Sequence, residues 1–170
     1  MSYDIDGKIR IIGDPVLRTK CTEVTLFNPS LQILFRKMLD IMVKARGIGI
    51  AGPQVGLTYR LCVIDVTNSS KPEDLCIFNG ERVDTKSIMP LFICNPEITS
   101  LKGNSPYTEG CLSIPNHRHE IFRPSELTVK FMNEKGKNVE ITCDGILARC
   151  MQHEFDHLDG ILFIDHENKE

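Results

Sequence analysis

The sequence predicts an α+β fold, with antiparallel β-sheets packed around a C-terminal helix carrying an H-E-x-x-H motif and an amphipathic helix near the N-terminus. Three observations lead there. Strand-like runs succeed one another without intervening helices, the two strongest helical patterns lie at separate ends, and 170 residues suffice for a single domain, 1–170, with one sizeable core.

Taken in order, Asn28, Pro29 and Ser30 offer an N-cap followed by proline at the first helical position. Leu31, Leu34, Phe35, Met38, Leu39, Met42 and Ala45 then recur on one helical face, and Gly47 is expected to end the helix. YRLCVIDV (59–66) reads as a buried strand. Residues 67–90 are polar, contain Pro72 and Gly80, and read as a long loop with a short strand around LCIF. PLFICNPEI, ELTVKFMN and KNVEITCD are further strands, the last two joined by a turn at 133–136. After Gly145, ILARCMQHEFDHL has the periodicity of a helix.

Composition narrows the function classes. With 41% hydrophobic and 25% charged residues and a net charge of −3, the chain is an ordinary globular protein with no nucleic-acid surface and no polybasic membrane patch. No apolar run has the length of a membrane span. The opening MSYDIDGKIRIIGDP reads as neither a signal nor a transit peptide, so a cytoplasmic location is expected. The seven cysteines are odd in number and lack C-x-x-C pairs, which argues against a disulfide framework. Most sit in apolar runs as small buried hydrophobes. Cys111 is set apart by its neighbours.

HEFDHLDGILF (153–163) carries the chemistry. Residues four apart lie one turn apart on the same helical face, so His153 and His157 can bind one metal ion, with Glu154 near enough to reach a metal-bound water. The competing reading is two histidines that merely share a face. A catalytic site needs a third ligand, and the position where a metzincin protease carries its third histidine is Phe163, which cannot ligate. His166 has the wrong spacing, and a glutamate on a further helix would need more chain than remains before Glu170. The third donor is therefore expected upstream, at Cys111 in EGCLSIP (109–115), whose sulfur would complete a tetrahedral Cys-His-His site with one open position.

GIGIAGPQ (47–54), EGCLS (109–113) and HEFDHLDG (153–160) together resemble the three signature segments of the peptide deformylase family, in the family's order. GDPVLR (13–18) and SIPNHR (113–118) extend the similarity over most of the chain. The glycine-rich segment also matches G-x-G-x-x-G, but a helix precedes it where a dinucleotide fold needs a strand, and Pro53 with Gly56 interrupts the stretch where that fold needs a helix. The family commonly has alanine where Gly52 stands, a small change expected to loosen the loop more than to alter chemistry.

The resemblance implies hydrolysis of the N-terminal formyl group from formyl-methionyl peptides, including nascent chains at the ribosome, with release of formate. It implies a metal-bound hydroxide as nucleophile and Glu154 as general acid and base. The Gln54 amide and the backbone N–H of Leu112 would stabilise the oxyanion beside the metal. Ile48, Gly49 and Gly110 would meet the peptide backbone, and Ile48, Ile146 and Cys150 would wall the methionine pocket. The metal is expected to be Fe²⁺, with Zn²⁺, Ni²⁺ or Co²⁺ able to take its place. Arg118 and Arg123 either hold Glu109 or Asp156 or are solvated surface groups; His117 and His119 are expected to be exposed. Three alternatives stand beside this reading: a zinc endopeptidase, a catalytically silent deformylase-like domain that binds peptides, and a cysteine hydrolase using Cys111 with His117 or His119.

Overall fold

A computed structural model describes residues 3–71 and 73–167; Pro72, counted above in the 67–90 loop, and the residues at either end that include Glu170 lie outside the described set. The first helix, α1, runs Pro29–Lys44, and is followed by strands β1 (Gly49–Ala51), β2 (Leu61–Ile64), β3 (Cys76–Phe78), β4 (Glu81–Arg82), β5 (Leu91–Lys102), β6 (Ser105–Cys111), β7 (Ile114–Arg123), β8 (Glu126–Met132) and β9 (Asn138–Asp144). The last helix, α2, spans Gly145–Leu158. The fold is α+β, as the spacing of strands and helices predicts.

Seven strands form one sheet in the order β1-β2-β5-β8-β9-β3-β4, and β6 pairs with β7 as a separate ribbon. These strands pair antiparallel throughout. The stretch read as a loop over 67–90 therefore contributes two short strands and a 3₁₀ turn at Thr85–Ile88. β3 lies beside β9 through Cys76↔Cys143, so CIF is recruited by a partner far along the chain.

Asn28 caps α1 by accepting the Leu31 N–H at 3.1 Å, with Pro29 behind it. Leu31, Leu34, Phe35, Met38 and Met42 are buried and share a cluster with Ile50 of β1 and Val63 of β2. At about 1.5–3 kcal/mol per fully buried side chain, this stripe is what holds the helix to the sheet. The helix closes on a residue other than the expected glycine. Arg46 takes the left-handed conformation (φ 58°), while its N–H reaches the Val43 carbonyl and the Gly47 N–H reaches that of Met42. Gly47 instead packs closely against the ribbon tip: a Cβ there would lie 2.7 Å from a Leu112 methyl, which would have to move aside.

β1 ends the large sheet and β6 is paired only with β7, so each keeps one edge without a strand partner among the described residues. Both edges line the same cavity, of about 750 Å³. α2 crosses behind it, with Leu147, Ala148, Cys150, Met151, Phe155 and Leu158 in the core cluster built from β2, β5, β8 and β9.

Candidate metal centre

The four-residue spacing puts the rings of His153 and His157 together on α2, their centroids 5.1 Å apart. Cys111 reaches them from the end of β6, where a register shift between Gly110 and Cys111 breaks the ribbon's alternation. Its Sγ lies 3.3 Å from His157 Nε2, and donor atoms of Cys111, His153 and His157 all fall within 4.8 Å of one another. Sulfur with two imidazoles is a donor set that suits a borderline-soft divalent ion. His153 Nδ1 is engaged by Glu109 Oε2 at 3.0 Å, which leaves Nε2 as the donor toward the centre. Burial works to lower the His153 pKa, yet Cys111 and Glu109 hold it at about 10, so the ring sits between two groups that favour positive charge. Burial, together with the positive charge of His153, holds His157 low. The residues fit a metal ion.

Phe163 occupies the position of a metzincin's third histidine. Its ring stacks on that of His153 at 6.0 Å and 27°, so it serves as a wall of the site.

Glu154 is buried, and its Oε2 has no hydrogen-bond partner among the described residues. Burial pushes its carboxyl up to about 7, opposed by His153 and assisted by Glu109. Such a group can hold or release a proton near neutrality. Gly49 makes room for it. A Cβ at Gly49 would run into Glu154 Oε1 and lie 2.7 Å from Cys150 Sγ. Gly49 thus sits against the glutamate as well as at the cavity wall.

Gln54 lies in a 3₁₀ turn, Gly52–Val55, where its Oε1 accepts the Ala51 N–H at 2.8 Å. That bond fixes the amide's orientation and turns Nε2 toward Cys111 Sγ (3.5 Å) and Ser113 Oγ (3.2 Å). Gly52 does more than loosen this turn. A Cβ there would stand 2.8 Å from the Tyr59 carbonyl oxygen, so the 57–59 segment packs closer than an alanine permits. Leu112 sits at the tip of the ribbon beside Cys111, and Ile48, Gly110, Ile146 and Cys150 line the cavity with it.

Of the arginines weighed from sequence, Arg123 is buried and bridges Glu109 (2.7 Å) and Asp156 (2.7 Å), whereas Arg118 is exposed and holds neither. Arg149, which sequence reasoning missed, is also buried; it donates to Glu109 at 3.3 Å and to the Ser105 carbonyl at 2.6 Å, and lies over the Tyr107 ring. Its place four residues before His153, on the ligand face of the helix, was the available signal. The Glu109 carboxyl feels burial, which raises its pKa, but hydrogen bonds from His153 and Arg123 outweigh this and hold it at about 2. His117 and His119 are exposed, as expected.

A buried carboxyl beside a Cys-His-His donor group, carried by a helix behind an antiparallel sheet, is the architecture of a mononuclear metallohydrolase. The chain belongs to the polypeptide deformylase family, whose sequence profile matches residues 7–170. It is 42% identical to a peptide deformylase of Opitutus terrae over 95% of this chain and 86% of that protein. A peptide deformylase of Halothermothrix orenii is 42% identical, with 93% and 91% covered. Among solved structures, the Legionella pneumophila peptide deformylase superposes with a TM-score of 0.81 at 39% identity, covering 95% of this chain and 86% of that one. The Synechococcus elongatus peptide deformylase in complex with actinonin gives 0.83 at 35% identity, covering 99% and 83%.

Proposed function

We propose that residues 1–170 form a single catalytic domain that removes the formyl group from N-formylmethionyl peptides, among them nascent chains at the ribosome in the cytoplasm. The observation that carries the reading is the buried Glu154 carboxyl, whose Oε2 has no hydrogen-bond partner among the described residues, beside the Cys111, His153 and His157 donors. Cys111, His153 and His157 would hold a divalent ion, which would supply Lewis acidity and a nucleophilic water near neutral pH. Fe²⁺ is the proposed ion; the donor set also accommodates Zn²⁺, Ni²⁺ and Co²⁺. Among the described residues no helix is long and apolar enough to cross a membrane.

Glu154 takes a proton from the attacking water and delivers it to the leaving amine, a transfer that a carboxyl raised to about 7 performs in both directions. As the formyl oxygen becomes anionic, the Gln54 amide, pinned by Ala51, and the Leu112 backbone N–H donate to it. The peptide lies extended between the free edges of β1 and β6, bonding to backbone groups of Ile48 and Gly110. The methionine side chain enters between Ile48, Ile146 and Cys150. Glu109, held by Arg123 and Arg149, keeps His153 oriented throughout.

The test is formate release from formyl-Met-Ala-Ser by the iron-loaded protein, prepared without oxygen, with internal peptide bonds left intact. Cleavage of internal bonds instead would favour an endopeptidase, and binding without formate release would favour a silent peptide-binding domain.

A further inference from the structure

Two arginines at the cavity have no ion-pair partner among the described residues. Arg46 reaches it from the α1–β1 connection on one wall, and Arg118 from β7 on the other. Both are exposed, in contrast to the paired Arg123 and Arg149, and neither shares the carboxylate contacts of Arg10, Arg18 and Arg60. The carboxyls lining the same cavity, Glu109 and Glu154, are both buried, and Glu109 is occupied by Arg123, Arg149 and His153. The mouth of the cleft is therefore positive.

The placement of each residue is specific. Arg118 is paired across the ribbon with Gly110, and its side chain lies over that glycine, with Cγ 3.3 Å and Nε 3.6 Å from where a Cβ would be. Arg46 holds a left-handed backbone (φ 58°) at the end of α1, where glycine is the usual residue. An L-residue is disfavoured there, because its Cβ crowds the following carbonyl oxygen. A strained position whose side chain lines a cleft marks a candidate for function.

We infer that the cleft selects formylated peptides bearing an acidic side chain two or three residues after the methionine, through Arg46 and Arg118. The inference rests on the deformylase reading and deepens it. A peptide extended along β1 and β6 advances about 3.3 Å per residue. With its first residue at the donor cluster next to Cys111, the residues after it pass Gly110 and Arg118 on one side and Gly47 and Arg46 on the other. Guanidinium groups at this distance from the reacting bond hold the peptide equally before and during reaction, so the preference belongs in KM.

Formate release would be measured for formyl-Met-Ala-Glu, formyl-Met-Ala-Ser and formyl-Met-Ala-Lys at low ionic strength, for the parent and the Arg46→Gly/Arg118→Ala double variant. The parent is expected to favour the glutamate over the lysine peptide by about tenfold in kcat/KM, the scale of two exposed ion pairs. Most of that ratio should appear in KM. It should approach one in the double variant, and also in the parent at about 1 M salt, where the Debye length is about 3 Å. Arg46→Gly alone should melt no lower than the parent, since it relieves the left-handed backbone. A parent that turns over formyl-Met-Ala-Ser but treats the charged peptides alike overturns the inference and leaves the deformylase reading standing. A ratio that survives the double substitution also overturns it. Release of formate from none of the three peptides overturns both.

Discussion

At the scale of single residues, the centre depends on atoms that are absent as much as on atoms that are present. Gly49→Ala would drive a methyl group into Glu154 and Cys150. It is expected to lower kcat by about 10²–10⁴, the contribution of a positioned acid–base group, while the bound metal, assayed by atomic absorption, stays near one per chain. Gln54→Leu removes the side-chain amide that faces Cys111 and is expected to cost about 10²–10³ in kcat, again with metal retained. The donors are readable in the sequence because each is a chemically distinctive residue at a distinctive spacing. Arg149 is not readable in the same way, for a helical arginine is ordinarily a surface residue, and only the buried Glu109 opposite explains why this one is inside.

At the scale of elements, the β6–β7 ribbon matters most, since it delivers Cys111 to His153 and His157 of the helix and does not read as strands. SPYTEGC and IPNHRHEIFR are largely exposed and polar, and a two-stranded ribbon buries too little to impose an apolar alternation. α1 and the long sheet strands are legible because each has a wet and a dry side or a continuous apolar run. The ribbon is fastened to α2 through Arg123, whose guanidinium bridges Glu109 and Asp156. Arg123→Ala leaves the buried Glu109 and the half-buried Asp156 without that partner, and a loss of about 3–5 kcal/mol is expected in urea unfolding. Because Glu109 also orients His153, metal affinity measured by competition with a chelator should fall by about 10–100-fold. Arg123→Lys should recover part of the stability and little of the affinity, since lysine cannot form the two-sided fork.

At the scale of the whole molecule, the candidate metal group draws on two separate parts of the structure. Cys111 belongs to the ribbon, and His153 and His157 to the helix that closes the large sheet. An ion bound across them ties the two parts together and stabilises the folded state in proportion to the logarithm of its free concentration. Chelation is expected to abolish formate release and to lower the melting temperature, and re-addition of Fe²⁺ should restore both. A cysteine hydrolase would keep its activity through the same treatment. The order of the seven strands is beyond local patterns, because β3 and β4 attach beside β9 at a separation in sequence that no hydrophobic period encodes.

The edges of β1 and β6 have a further meaning. A free sheet edge ordinarily recruits strands from neighbouring molecules, and proteins take steps to blunt it. Here the edges of β1 and β6 open onto one shared cleft, so at these two edges the surface that would promote aggregation is turned inward. A strand added to these edges would have to be a loose, extended chain end, because a terminus already built into a helix or sheet has no backbone groups left to offer. A deformylase that takes its substrate along these two edges is thereby biased in time, and is expected to release formate faster from unfolded than from folded formylated polypeptides.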